Sequence, residues 1–148
     1  MMSGTTTQHY AVFRQTVFMS AHETHSHGDS SSDGRSYGKA IQDELAPLGR
    51  DLRNAIPAVY RGFGEMHAAA FAPGSLDAKT KELIALAIAV SVRCDGCIAA
   101  HARGAARNGA TEAEVAETLG VTISMNGGPA TVYAPRAFAA FKEFATKK

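Results

Sequence analysis

From Tyr37 onward, apolar residues recur at steps of three and four: Ile41, Leu45, Leu48, Leu52, Ile56, Val59, Phe63 and Met66. That spacing puts them on one face of an α-helix. Pro47 and Pro57 interrupt the pattern, since proline lacks the N–H that an interior turn uses. Two or three shorter helices are therefore expected before the turn at "APGSLD" (72–77). Ser75 or Asp77 can cap the next helix, which carries "KTKELIALAIAVSV" to about residue 92. Beyond Glu82 this segment is apolar nearly all round, and such a helix belongs at the centre of a domain.

"CDGCIAAHARGAARNG" predicts a further helix, stopped at Asn108-Gly109, where both residues tolerate a left-handed backbone. Thr111 and Glu114 form a capping box ahead of "TEAEVAETLGVTISM". "NGGP" (126–129) is a break, and Pro129 suits the first turn of a last helix, "ATVYAPRAFAAFKEF". Pro135 is expected to kink it. No stretch shows the alternation of a strand, so the fold class is all-α. A chain of 148 residues is enough for one core.

Residues 1–35 read differently. "AHETHSHGDSSSDGRS" (21–36) is polar, small and rich in Ser and His, the composition of a flexible arm. The helical domain then occupies 36–148. His22, His25 and His27 stand at i, i+3 and i+5, and a solvated tail is favoured over a metal site there. "YAVFRQTVFM" (10–19) could pack on a neighbouring subunit.

Composition narrows the partners. A net charge of +1 leaves no basic excess to neutralise phosphates, so nucleic acid is not expected. The longest apolar run, "LIALAIAVSV" (83–92), is too short to span a bilayer, so no membrane partner is expected either. Arg14 and Gln15 split the N-terminal apolar stretch, which also lacks the basic start and cleavage site of a secretion signal. The expected location is the cytoplasm, where a CxxC pair is more often catalytic, redox-active or metal-binding than a structural staple.

The chemistry concentrates in "RCDGCIAAH" (93–101), which holds the only cysteines, Cys94 and Cys97, and His101 four residues further on. On a helix, Cys97 and His101 share a face and Cys94 lies one turn earlier. A free thiol has a pKa of about 8.5. A helix N-terminus or an adjacent imidazole lowers it. The small Asp95 and Gly96 leave room for an S–S bond to close. Together these features describe an oxidisable dithiol. Two alternatives stay open: small buried hydrophobes, and a zinc site whose fourth ligand would be Glu82, a tail histidine or water. A c-type haem attachment fails, because Ile98 stands where the histidine belongs. A thioredoxin-like motif would need a βαβ setting. Glu82, opening an apolar helix, is expected to be exposed and to favour the helix dipole. Facing inward, it would instead orient His101 and hold its proton.

With these residues in view, 76–144 resembles the carboxymuconolactone decarboxylase family, and within it the alkyl hydroperoxidase D-like branch. That branch is marked by a Glu, a CxxC and a His four residues after the second Cys, here Glu82, Cys94, Cys97 and His101. "GAT" (109–111) and "GGP…YAPRA" (127–137) agree as well. The resemblance implies an all-α helical bundle that assembles as a homotrimer or homohexamer and needs no cofactor or metal. It implies reduction of alkyl hydroperoxides, with Cys97 as attacking thiolate and Glu82 and His101 as the proton relay. Cys94 would condense with oxidised Cys97 to give a disulfide. A lipoyl-bearing or thioredoxin-like dithiol protein would reduce that bond, entering at Cys94. Some members carry a relay histidine just before the second cysteine; Gly96 here implies a slower peroxidase or a disulfide reductase. The rival functions are a cofactor-free decarboxylase, with Arg93, Arg103 and Arg136 offered to carboxylates, and a non-catalytic redox-sensing oligomer.

Overall fold

The structure, a computed structural model, describes residues 35–145. The expected arm over 1–35, with His22, His25 and His27, lies outside the described residues except for Arg35. Six helices follow one another: α1 (Lys39–Ala55), α2 (Pro57–Phe71), α3 (Ala78–Ser91), α4 (Asp95–Arg107), α5 (Glu112–Asn126) and α6 (Gly128–Ala145). No strand occurs among the described residues, in keeping with the all-α expectation.

Proline acts differently at its several positions. Pro57 divides α1 from α2 and opens α2 from its first turn, where the missing N–H costs nothing. The segment therefore forms two of the two or three helices expected, with Pro47 inside α1 and eight residues of helix on each side of it (39–46 and 48–55), enough for each half to hold its own turns. Pro135 likewise sits inside an unbroken α6.

The core is built from α3 to α6. Leu86 and Val90 of α3, Ile98 of α4, Val115 and Leu119 of α5 and Phe141 of α6 supply its bulk. Ala102 and Ala105 of α4 and Ala130, Ala134 and Ala137 of α6 are buried too, and their small side chains let these helices approach closely. At full burial, each large aliphatic contributes about 1.5–3 kcal/mol of transfer free energy. The apolar stripe of α1 and α2 is not part of this core. Neither helix has a buried residue, and Leu48, Leu52, Val59, Phe63 and Met66 are all more than half exposed. The periodicity of 41–66 is helical, but beyond Leu45, which packs toward Gly96 of α4, its apolar face is largely uncovered.

Three local devices set the frame around the cysteines. Asp77 caps α3, its carboxylate accepting the Thr80 N–H at 2.7 Å. A capping box joins Thr111 and Glu114, with the Glu114 N–H donating to Thr111 Oγ1 at 3.2 Å and the Thr111 N–H to Glu114 Oε2 at 2.7 Å. The N-cap of α1, Gly38, has no side chain to cap with; Ser36 Oγ accepts the Ala40 N–H at 2.9 Å, and α6 supplies the rest. Glu143 accepts the N–H groups of Tyr37, Gly38 and Lys39 and the Ser36 hydroxyl, at 2.6–3.1 Å. A Cβ on the buried Gly38 would press on the Phe144 ring, so the approach needs glycine.

Candidate active site

Helix α3 ends in a Schellman arrangement. The Arg93 N–H donates to Val90 and the Cys94 N–H to Ala89, both at 3.1 Å. Arg93 takes the left-handed conformation, φ 58°, at a position that usually favours glycine, at a cost of about 1–2 kcal/mol. The tight reversal makes Cys94 the N-cap of α4, directly after α3 ends.

Cys94 and Cys97 are joined as a disulfide, their Cα atoms 5.2 Å apart. The Cys97 N–H also points at Cys94 Sγ, 3.2 Å away, as an N-cap interaction. A sulfur at that position sits in the field of the unsatisfied N–H groups and the helix dipole, which favours the thiolate once the bond is reduced. Cys97 packs against the core and lines a cleft of about 410 Å³; Cys94 does neither.

His101 lines the same cleft, one turn along α4. Its Nδ1 lies 2.8 Å from Glu82 Oε2, and the side chains of His101 and Glu82 are only 20% and 14% exposed. Glu82 is therefore not the exposed helix-opening carboxylate that its position suggests. It turns toward α4 because Gly104 leaves the space: a Cβ there would overlap the Glu82 carboxylate. Bound to the carboxylate through Nδ1, the imidazole is left with Nε2 for other partners.

Residues that sequence reasoning passed over complete the surroundings. Phe71, at the end of α2, stacks on His101, with centroids 5.5 Å apart and planes within 10°. His67 stacks on the Phe71 ring at 4.2 Å and 7°. Ile84, Ile88 and Val92 form the cleft's apolar wall, and they are the exposed side of a helix expected to be buried all round. Helix α3 is central on one face only. Lys81 also lines the cleft, its Nζ donating to the carbonyls of Ala70 and Ala72 at the end of α2. The pairing of His67 with Phe71 at i, i+4 and the Lys-Glu at 81–82 were the available signals.

The remaining candidates lie elsewhere. Gly96 faces α1, where a Cβ would meet Leu45, so a larger residue there would first have to displace Leu45. None of Arg93, Arg103 and Arg136 lines the cleft. Arg103 donates to Gln42 at 3.0 Å, and Arg136 lies 3.7 Å from Asp95 and over the Tyr133 ring. Among the described residues no group of three or more His, Cys, Asp and Glu side chains is placed to hold a metal ion. None of the helices among them is long and apolar enough to cross a membrane.

Comparison with known proteins follows the same lines. Residues 57–142 match the carboxymuconolactone decarboxylase family. An uncharacterized protein of Cupriavidus necator is 44% identical over 90 residues, covering 61% of this chain and 80% of its own. The crystal structure of a carboxymuconolactone decarboxylase family protein from Legionella pneumophila, in its apo form, superposes with a TM-score of 0.71 at 40% identity, covering 73% of this chain and 96% of that one. A Thermotoga maritima family protein, for which involvement in the antioxidative response has been suggested, gives a TM-score of 0.61 at 28% identity over 70% of this chain and 88% of its own.

Proposed function

The chain belongs to the carboxymuconolactone decarboxylase family, whose members are often enzymes, and we propose that it acts there as a thiol-dependent hydroperoxide reductase of the alkyl hydroperoxidase D type. One observation carries the proposal. The inner sulfur of a disulfide-forming pair shares a cleft with an imidazole, and a largely buried carboxylate holds that imidazole's Nδ1.

In the reduced protein, His101 takes the Cys97 proton, directly or through one water, and Glu82 stabilises the imidazolium. The Cys97 thiolate attacks the outer oxygen of the hydroperoxide. The O–O bond breaks, the alkoxide leaves with the proton from His101 as an alcohol, and Cys97 becomes a sulfenic acid. Cys94 then attacks that sulfur, water departs, and the disulfide closes. The two electrons return from a dithiol donor, a lipoyl-bearing or thioredoxin-like protein. One of its thiolates attacks Cys94, Cys97 leaves as thiolate, and the donor's second thiol resolves the mixed disulfide. No cofactor enters this cycle. A pair that must be re-reduced each turn suits the cytoplasm. The uncovered stripe on α1 and α2 supports assembly as a homotrimer or homohexamer.

The test is steady-state hydroperoxide consumption with dithiol donors. Cys97→Ser is expected to abolish it, and His101→Ala to lower it roughly 10²-fold or more. Full activity in Cys97→Ser would overturn the proposal.

A further inference from the structure

The cleft beside Cys97 is apolar along its length and charged at one end. Its walls are Phe71, Ile84, Ala85, Ile88, Ala89 and Val92. Lys81 is the one lysine or arginine among its lining residues. Among the described residues the ammonium donates to the carbonyls of Ala70 and Ala72 alone, both neutral acceptors. The adjacent carboxylate, Glu82, is turned away to His101. The end of α2 offsets about half a unit of charge. That leaves the remaining positive charge and a third N–H on Lys81 for an anion.

The order of residues along α3 gives this cleft a direction. Ile84, Ala85 and Ile88 stand three, four and seven residues after Lys81, on one side of the helix. From Lys81 to Val92 the strip runs roughly 16 Å at 1.5 Å per residue. Cys97 and His101 face the same space from α4. A small neutral oxidant uses neither the strip nor the cation. An amphiphile uses both, with its acid group at Lys81 and its alkyl chain along the strip. We infer that the cleft is a binding site for long-chain carboxylic acids, Lys81 holding the carboxylate. On the peroxidase reading of the site, on which the catalytic consequence rests, the substrate is a fatty-acid hydroperoxide.

Binding tests this without turnover. Oleate and methyl oleate are titrated against a fluorescent fatty-acid probe on the disulfide form of the full chain. Oleate is expected to displace the probe at least about tenfold more tightly than the ester. Lys81→Gln, which keeps a polar side chain but carries no charge, is expected to remove that preference; Lys81→Arg is expected to keep it. In turnover, Lys81→Gln should raise KM for linoleic acid hydroperoxide about tenfold more than KM for its methyl ester. Equal binding of acid and ester, or equal weakening of both by Lys81→Gln, overturns the inference and leaves Lys81 as a clamp on α2. Lys81-dependent oleate binding with no turnover of any hydroperoxide upholds the acid site and overturns the peroxidase reading instead.

Discussion

Glu82 occupies the space that a side chain at residue 104 would need. The carboxylate reaches His101 Nδ1 at 2.8 Å only because Gly104 presents no Cβ to it. Gly104→Ala is therefore expected to separate function from stability. The atoms in the way are the far end of a flexible side chain, so Glu82 can swing out at little cost. Alanine is also the better helix former by about 0.5–1 kcal/mol. Hydroperoxide turnover should fall roughly 10²-fold, the scale of a misplaced catalytic group, while the melting temperature holds or rises. An active Gly104→Ala enzyme would show that the carboxylate does not need this position.

The sulfurs carry different expectations. Cys97 lines the cleft, whereas Cys94 caps the helix. After reduction, a thiol titration should find two thiols, and hydrogen peroxide should remove both. In Cys94→Ser, peroxide should leave a sulfenic acid on Cys97 that a dimedone-type reagent labels. Label on Cys94 in the Cys97→Ser protein, and none in the converse variant, would reverse the two roles.

Phe71 holds the His101 ring from the side that Glu82 does not. His67 stacks on Phe71 in turn and lies 6.3 Å from the His101 ring, so the three rings form one cluster. Aromatic pairs of this kind contribute about 0.5–1.5 kcal/mol beyond the area they bury. Phe71→Leu keeps apolar bulk but not the plane, so kcat should fall about tenfold with a smaller change in stability. Turnover equal to that of the parent protein would mean that Glu82 alone fixes the imidazole.

Most of the framework was legible before the fold was known. Helix starts and stops follow from local capping chemistry at Asp77, Thr111 and Glu114 and from the Asn108-Gly109 stop, and those residues sit where expected. The Cys94, Cys97 and His101 relationship follows from helical spacing alone. What could not be read is whatever depends on two helices meeting. Glu82 looked exposed because its burial is set by Gly104, twenty-two residues away on another helix. The faces of α1 and α3 could not be assigned because periodicity marks an apolar side without saying what covers it. Phe71 and His67 join the site only through the docking of α2.

The cap that α6 lends to α1 is expected to titrate. Burial raises the Glu143 pKa, but the Ser36 hydroxyl and the N–H groups of Lys39, Gly38 and Tyr37 together hold it below the ordinary carboxylate value. A carboxylate whose folded pKa is depressed contributes stability that is present above its unfolded pKa, about 4.3, and is lost as pH falls through the folded value. Glu143→Gln should therefore melt lower than the parent at pH 7, on the scale of a lost cap, about 1 kcal/mol. The gap should narrow below about pH 4. A gap that stays constant from pH 7 to pH 3 would mean that the charge on Glu143 contributes nothing.

The apolar stripe on α1 and α2 should be covered by other copies of the chain. Leu48 is 61% exposed, Val59 65% and Met66 62%, along two consecutive helices with no buried residue of their own. Scattered exposed aliphatics are ordinary, but a continuous row of them is the mark of an interface. Sedimentation velocity of the full chain should give a trimer or hexamer. Val59→Glu places a charge in the middle of the row, away from the cysteines, and should shift the distribution toward smaller species. Because Phe71 ends the same helix and stacks on His101, dissociation should also lower turnover, and raising the protein concentration should recover part of it. A parent protein that sediments as a monomer at micromolar concentration would remove the partner from this face and leave the stripe without a function.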